Sequence, residues 1–499
     1  MNRREFLALS LMGGPGIAAA PVFRAGFAER DITPRIGMQE PGGYLKRFHR
    51  SLHDPCKVRA AVFDDGRRAV ALVSLDALMA PRQLVTAIRN QVQSRCGLAP
   101  EAVLIGATHS HSSGPTGMVQ PGEYDDASPL VRKLAYEISS AADPEYLELV
   151  RRQTVEAVCG AHASLAPVRA GVGAGMEDKA AFNRRFRMRN GLTYTHPGQG
   201  NPDLLEPAGP IDPQVGVIGV WDEKGRMIGC VVNYACHATT SPGGISANWI
   251  YYLEKTIRGA LSSDAVVVFL QGASGDVTQV DNRNPYVQPG GEEYARLVGG
   301  RVGAEAVKTL VSMHAGSLTP LNAASLTLRL NRRRPSPERV RKSHEIVSRD
   351  STPETLTDWI FAKEIVLLDA KLAKEPVAEA EVQAIQVGPA VFISNPGEMF
   401  CALGLRIKQG SPFPFTFPVE LANGCVGYVP TEEAFGPSGG GYETRLTSYS
   451  NLEVAAGDRL VEAGLELARR MKPGKLPTPP PAKPFQAPWS YGNVPPETH

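Results

Sequence analysis

Seven short runs of apolar, largely β-branched residues set the frame of this chain: Val70–Leu75, Val103–Ala107, Val215–Val220, Cys230–Ala235, Ala265–Leu270, Ala384–Val387 and Ala390–Ser394. Their apolarity is continuous rather than alternating, which is the pattern of strands buried on both faces. Helical periodicity separates many of them, over Pro81–Cys96, Pro144–Ala161, Asn248–Leu261, Glu292–Met313, Pro353–Lys374 and Asn451–Met471. Leu84, Ile88 and Val92 share one face of the first helix, and Asp143 stands as N-cap before the second. Arg469 and Arg470 close the last, where cations suit the helix dipole. Strands alternating with helices predict an α/β architecture. Met188–Pro213, rich in Gly, Pro and Asn, reads as a long surface loop, and the proline-rich Pro473–His499 as an extended tail.

A hydrophobic fraction of 42% with 21% charged residues specifies a globular core rather than a disordered chain. Lys+Arg number 53 against 51 Asp+Glu, too even a balance for a broad polyphosphate-binding surface, so no nucleic-acid partner is expected. The seven cysteines stand singly with no CxxC pair, which excludes a zinc ribbon and a dense disulfide scaffold. At the start, Arg3-Arg4 precede Phe6-Leu7, a glycine-broken apolar stretch and Ala18-Ala19-Ala20. This is a twin-arginine-type signal over residues 1–22, and it implies a periplasmic or secreted location. The stretch is too short to span ~30 Å of hydrocarbon, and no later run approaches ~18 uninterrupted apolar residues. The mature chain is therefore expected to have no transmembrane span, with residues 23–472 forming the folded domain and 473–499 the tail.

Four of the apolar runs end in polar loops whose groups can bind metal or move protons. Val103–Ala107 leads to Thr108-His109-Ser110-His111, and Cys230–Ala235 to Cys236-His237. Ala265–Leu270 leads to Gly272–Thr278 (GASGDVT), and Ala390–Ser394 to Asn395-Pro396-Gly397-Glu398. Ligands of open α/β sheets bind at the carboxyl ends of strands. On an extended chain residues i and i+2 share a face, so His109 and His111 can enter one pocket. Alone they could equally be hydrogen-bonded loop histidines. Together with His237 and Glu398 they suggest a metal set, since zinc takes imidazole nitrogens and, in catalytic sites, keeps one position open. His49, His53, His162, His196, His314 and His344 read as surface residues. Gly272–Thr278 could form an anion nest, but on sequence alone a tight connection with Asp276 bonded to backbone amides is the better reading. Tyr428, beside glycines, reads as packing.

The strings AGFAERDITP, HDPCKVRAAVFDDG, VALVSLD, ATHSHSSGPTG, NYACHATTSP, NPGE and GYVPTEEAF occur in this order. Over about Ala25 to Ala468 the chain thereby resembles the neutral/alkaline non-lysosomal ceramidase family of zinc-dependent amidases. The resemblance implies a layered α/β sandwich of two mixed β-sheets flanked by helices. It implies one Zn²⁺ held by His109, His237, Glu398 and Tyr428. It casts His111 as the proton-transfer and substrate-contacting residue, Asn183-Arg184 as the pair that helps hold substrate, and Tyr442 as a second active-site tyrosine. The family's Gly-Asp-x-Ser-Pro-Asn loop is replaced by Gly275-Asp276-Val277-Thr278-Gln279-Val280. Thr278 thus stands where the family has a serine, and its β-branched hydroxyl would be a hindered nucleophile. A short member without the family's C-terminal β-sandwich domain is expected. The implied activity is cleavage of an amide bond in a small-molecule or lipid N-acyl substrate, ceramide-like, by a metal-activated water, with Thr278 and Arg184 binding the oxyanion or orienting the substrate. The departures leave a non-ceramide ester, lactone or sugar-derived substrate as an alternative. A metal- or solute-binding protein is the third reading, which the open coordination position argues against.

Overall fold

The computed structural model describes residues 22–479, 481–482, 491 and 494–499. The signal expected over residues 1–22 therefore falls, apart from Val22, outside the described residues. The expected layered α/β class is what forms, with most strands shared among three mixed sheets. The N-terminal sheet runs in the order Val103–Ala107, Ala69–Leu75, Lys57–Asp64, Arg24–Asp31, Ala166–Pro167. The middle sheet runs Val266–Gln271, Met227–Tyr234, Gln214–Trp221, Arg169–Met176. The C-terminal sheet runs Leu321–Asn331, Val377–Val387, Ala390–Ser394, Phe415–Val419. Each sheet holds one parallel pair, and its other pairings are antiparallel. The parallel pairs are Ala69–Leu75 with Val103–Ala107, Met227–Tyr234 with Val266–Gln271, and Ala390–Ser394 with Phe415–Val419.

The continuous apolar runs have a simple cause. Inner-face residues of all three sheets, among them Leu104, Leu270 and Phe417, share one apolar centre. The outer faces are covered by helix pairs. Arg82–Cys96 and Pro144–Ala163 back the N-terminal sheet, Trp249–Ala260 and Gly291–Ser312 the middle one, and Cys401–Gly410 and Ala456–Arg469 the C-terminal one. Strands covered on both sides need apolar residues on both sides. Gly106 marks the junction: a Cβ there would lie 3.5 Å from Leu270 and 3.5 Å from Val419, one from each of the other sheets.

Strands that sequence reading overlooked lack such runs. Arg169–Met176 carries a glycine at every second position, and at Gly175 a Cβ would collide with Glu305 at 2.1 Å, so the helix packs directly on the backbone. Leu321–Asn331 is an edge strand whose residues alternate between more and less buried. Met188–Pro213 is not the structureless loop expected. Thr193–Thr195 and Leu204–Pro207 flank Arg185–Met188 in a small three-stranded sheet. The described residues of the proline-rich tail carry no helix or strand. Among the described residues no helix is long and apolar enough to cross a membrane.

One buried charge network ties the N-terminal sheet to a helix behind the middle sheet. The Arg59 guanidinium, 1% exposed, donates to Asp76 at 2.8 Å and to Glu254 at 2.5 Å, while Lys57 reaches Glu254 at 2.7 Å. Removing one partner of such a network leaves buried charge uncompensated. Arg59→Ala should therefore lower the unfolding free energy by about 3–5 kcal/mol in urea denaturation; a loss within experimental error would show that water or rearrangement compensates the two carboxylates.

Candidate metal centre and its cavity

The carboxyl ends of the three parallel pairs supply one site. His109 follows the N-terminal pair, His237 the middle one, and Glu398 follows Ala390–Ser394 of the C-terminal one. His109 Nε2 lies 3.2 Å from His237 Nε2 and 3.2 Å from His111 Nε2. Glu398 Oε2 lies 3.3 Å from His109 Nε2 and 3.2 Å from His237 Nε2. His109, His237 and Glu398 are buried, and His111 is half-buried. Residues far apart in the chain thus meet.

The route by which the two neighbouring histidines meet differs from expectation. The chain leaves the extended conformation after Ala107, and His109 adopts φ +62°, a left-handed conformation costly for a residue with a Cβ. Both rings enter the pocket through a turn rather than by strand alternation. Surrounding backbone bonds hold that turn: the N–H of Ala107 donates to Leu421 O at 3.1 Å, that of Thr108 to Leu75 O at 2.8 Å, and that of His111 to Ala238 O at 3.2 Å. Glu398 and Tyr428 stand opposite each other in a two-residue parallel ribbon, which brings carboxylate and phenol to the same place. The Tyr449 hydroxyl donates to Glu398 Oε1 at 2.7 Å.

The hydrogen bonds behind the rings decide their chemistry. His109 Nδ1 faces the Leu78 carbonyl at 2.8 Å, and His237 Nδ1 faces the Ser274 carbonyl at 2.7 Å. A carbonyl oxygen only accepts, so both Nδ1 atoms carry a proton, and a ring with no second proton turns a lone pair on Nε2 into the pocket. Burial, reinforced by Arg184, pushes His237 down to about 4, and burial together with His109 and His237 holds His111 well below the usual range. Glu398 Oε2 is buried without a hydrogen-bond donor. Three lone-pair atoms thus face one another at contact distance, a repulsive arrangement that a cation between them would reverse. Their spacing matches the edge, about 3.3 Å, of a tetrahedron with the ~2.0–2.1 Å bonds of zinc. Two neutral imidazoles and a carboxylate suit a zinc-like divalent ion, and His109, His111 and His237 form a group able to hold a metal.

Arg184 is fixed beside this set. Its Nε donates to Glu443 at 2.7 Å, its Nη2 to Tyr428 Oη at 3.0 Å and to Gly275 O at 2.8 Å, and its Nη1 lies 3.3 Å from His237 Nε2. Burial raises the Tyr428 hydroxyl well above its usual range, against the pull of Arg184. Tyr442 meets Tyr428 edge-on, ring centroids 5.5 Å apart. Thr278 is buried but does not line the cavity, and its Oγ1 accepts the Val280 N–H at 3.2 Å. Asp276 accepts the Cys401 N–H at 2.7 Å and an Asn183 N–H at 2.8 Å, which makes the Gly272–Thr278 segment a tight connection rather than an anion nest.

Sequence reading missed several residues. Tyr449 holds Glu398, Glu443 holds Arg184, and Leu78 holds His109, yet none of them stands in a recognisable motif. Gly42 packs on His111 so closely that a Cβ would lie 2.2 Å from Nδ1. His196, read as a surface residue, is exposed but lines the cavity. His49, read the same way, is buried with Nε2 2.7 Å from Ser113 O. The cavity measures about 320 Å³ and is lined by His109, His111, His237, Glu398, Arg184 and Tyr428, with Leu78, Met118, Tyr442 and Tyr449. Met118 and Tyr449 also line a larger cleft of about 1180 Å³ whose walls include Arg82, Glu123, Lys371 and Glu379.

No family model matches the chain, and no curated protein matches its sequence. Solved structures do. Neutral ceramidase from Pseudomonas aeruginosa superposes with a TM-score of 0.65 at 20% identity, covering 92% of this chain and 76% of that one. A ceramidase complexed with C2 gives 0.66 at 18% identity, covering 92% and 77%. The chain therefore has the neutral ceramidase fold.

The hydroxyl behind Glu398 offers a direct check. Protein purified without chelator should carry one zinc-like ion per chain, and Tyr449→Phe should weaken its retention by about 10–100-fold in competition with a chelator. Unchanged retention would remove Tyr449 from the support of the site.

Proposed function

We propose that the chain is an exported, zinc-dependent hydrolase that cleaves an amide bond of an N-acyl substrate. The observation that carries this reading is the meeting of His109 Nε2, His237 Nε2 and Glu398 Oε2 as unprotonated donors around one point at the edge of a cavity. A divalent ion bound there supplies Lewis-acid polarisation of a carbonyl group and acidifies water.

The chain's own residues do the rest. His111 is the proton carrier: it is the half-exposed histidine of the three, and among the described residues no carbonyl bond fixes its Nδ1 as Leu78 and Ser274 fix the other two rings. Gly42 presses on its ring and sets its orientation. Tyr428 adds its phenol oxygen at the edge of the donor set. Arg184, locked by Glu443, keeps positive charge where negative charge develops on a reacting carbonyl oxygen. Tyr442 borders the substrate space. Thr278, tied to Val280 and outside the cavity lining, supports the loop and has no part in this reading.

A second reading, the same machinery acting on a non-ceramide amide, ester or lactone, is favoured by the charged walls of the cleft beyond Tyr449, which are a poor surface for a plain acyl chain.

The test is turnover of a panel of N-acyl amides and esters by the full chain. Chelation and His237→Ala should each reduce hydrolysis to background. Turnover unaffected by both would end the metal-hydrolase reading. Gly42→Ala should displace the His111 ring and lower kcat by about a hundredfold or more while the bound metal is retained; normal kcat would take the proton-carrying role away from His111.

A further inference from the structure

On the side of Tyr442 the cavity shares part of its wall with a second pocket. Thr195, His196 and Tyr442 line both the metal-site cavity and a shallow, open pocket of about 610 Å³. The far wall of that pocket is Phe361 and Arg445. A row of aromatic rings connects the two ends. Tyr428 to Tyr442 is 5.5 Å between centroids, Tyr442 to Tyr44 is 6.1 Å, and Tyr44 to Phe361 is 5.8 Å. At the end of the row the Arg445 guanidinium lies 3.3 Å above the Phe361 ring.

Arg445 lines this pocket. It is exposed, and among the described residues its side chain donates no hydrogen bond and forms no ion pair within 4.0 Å. Stacking on Phe361 fixes the plane of the guanidinium and leaves its N–H edges free, the arrangement suited to bidentate capture of a carboxylate or phosphate. The neighbourhood does not neutralise it. Arg333 lies beneath the same segment, donating to the carbonyls of Thr444, Ser450 and Leu452 and to no carboxylate. Arg339 adds further positive charge, felt by both Arg333 and Arg445, and Asp358 opposes it at Arg445. By contrast, Lys371 and Arg82, in the cleft on the other side of the site, are paired with Glu123 and Glu379.

We propose that the substrate of this hydrolase carries an anionic group, a carboxylate or a phosphate ester, at the end of the arm that runs along Tyr442, Tyr44 and Phe361, and that Arg445 binds it. This inference rests on the hydrolase reading for its cleavage step, but the binding site itself does not require it. A substrate of this class is an amphiphile with an ionised terminus rather than a neutral N-acyl lipid. Arg445 is a specificity residue, since it holds the distal end and touches no reacting atom.

The experiment has two arms. In the first, the mono-p-nitroanilides of succinic, suberic and dodecanedioic acid, each with one free carboxylate, are compared with their neutral methyl esters and with ω-phosphorylated analogues. The ratio of kcat/KM for anionic over neutral substrate should favour the anion and peak at an intermediate chain length. In Arg445→Gln that ratio should fall about ten- to a hundredfold, chiefly through KM, with partial recovery in Arg445→Lys. The comparison of carboxylate with phosphate identifies which anion the pocket takes. In the second arm, calorimetric titration of suberate into the full, metal-loaded chain should give a Kd that rises at least about tenfold in Arg445→Gln. Binding lost in the variant without hydrolysis of any amide would overturn the amidase reading and leave this one standing. Equal handling of anionic and neutral substrates, or suberate binding indifferent to Arg445, would overturn this proposal.

Discussion

Three lone pairs aimed at one point are the feature from which the rest of the molecule takes its meaning. His109 and His237 each spend their ring N–H on a backbone carbonyl, so their remaining nitrogens have nothing to give each other. Glu398 brings a third acceptor, and its buried Oε2 finds no donor. Gathering buried acceptors at contact distance is costly, and a cation placed between them would remove that cost. The left-handed turn at His109 is local strain of the kind that the surrounding fold must hold in place.

That hold comes from the architecture. Each of the three sheets contains one parallel pair, and at the carboxyl end of each pair the chain leaves the sheet to deliver a donor or the carbonyl that orients one. Because the sheets share one apolar centre, their ends are fixed relative to each other as firmly as the core is packed. Gly106, in contact with a residue from each of the other two sheets, shows how close that packing runs to the site itself. The buried network of Arg59, Asp76 and Glu254 adds a polar tie between the N-terminal sheet and the middle layer. A candidate metal site assembled from separate sheets is only as precise as their mutual packing, so its geometry depends on the fold's stability.

The sequence exposed this plan to an uneven degree. Strands sandwiched between layers announced themselves, and Val103–Ala107 and Ala390–Ser394 fall where the apolar runs placed them. Arg169–Met176 stayed hidden because its glycines are there to let a helix approach, and glycine reads as a turn signal. The histidines and Glu398 were legible because their residue types and strand-end positions point to metal chemistry. Tyr449, Glu443 and Gly42 were not, because what they contribute is a hydrogen bond or a close contact to a residue remote in sequence, and no local pattern encodes that. At Thr278 a motif position suggested a role in chemistry, and the structure adds that its Oγ1 accepts a backbone N–H.

The most direct test is to locate the ion. Crystals of protein purified without chelator, measured on both sides of the zinc absorption edge, should show a single strong anomalous peak bonded to His109 Nε2, His237 Nε2 and a Glu398 carboxylate oxygen. A folded protein with no anomalous density between those three side chains, or with its ion bound elsewhere, would contradict the account.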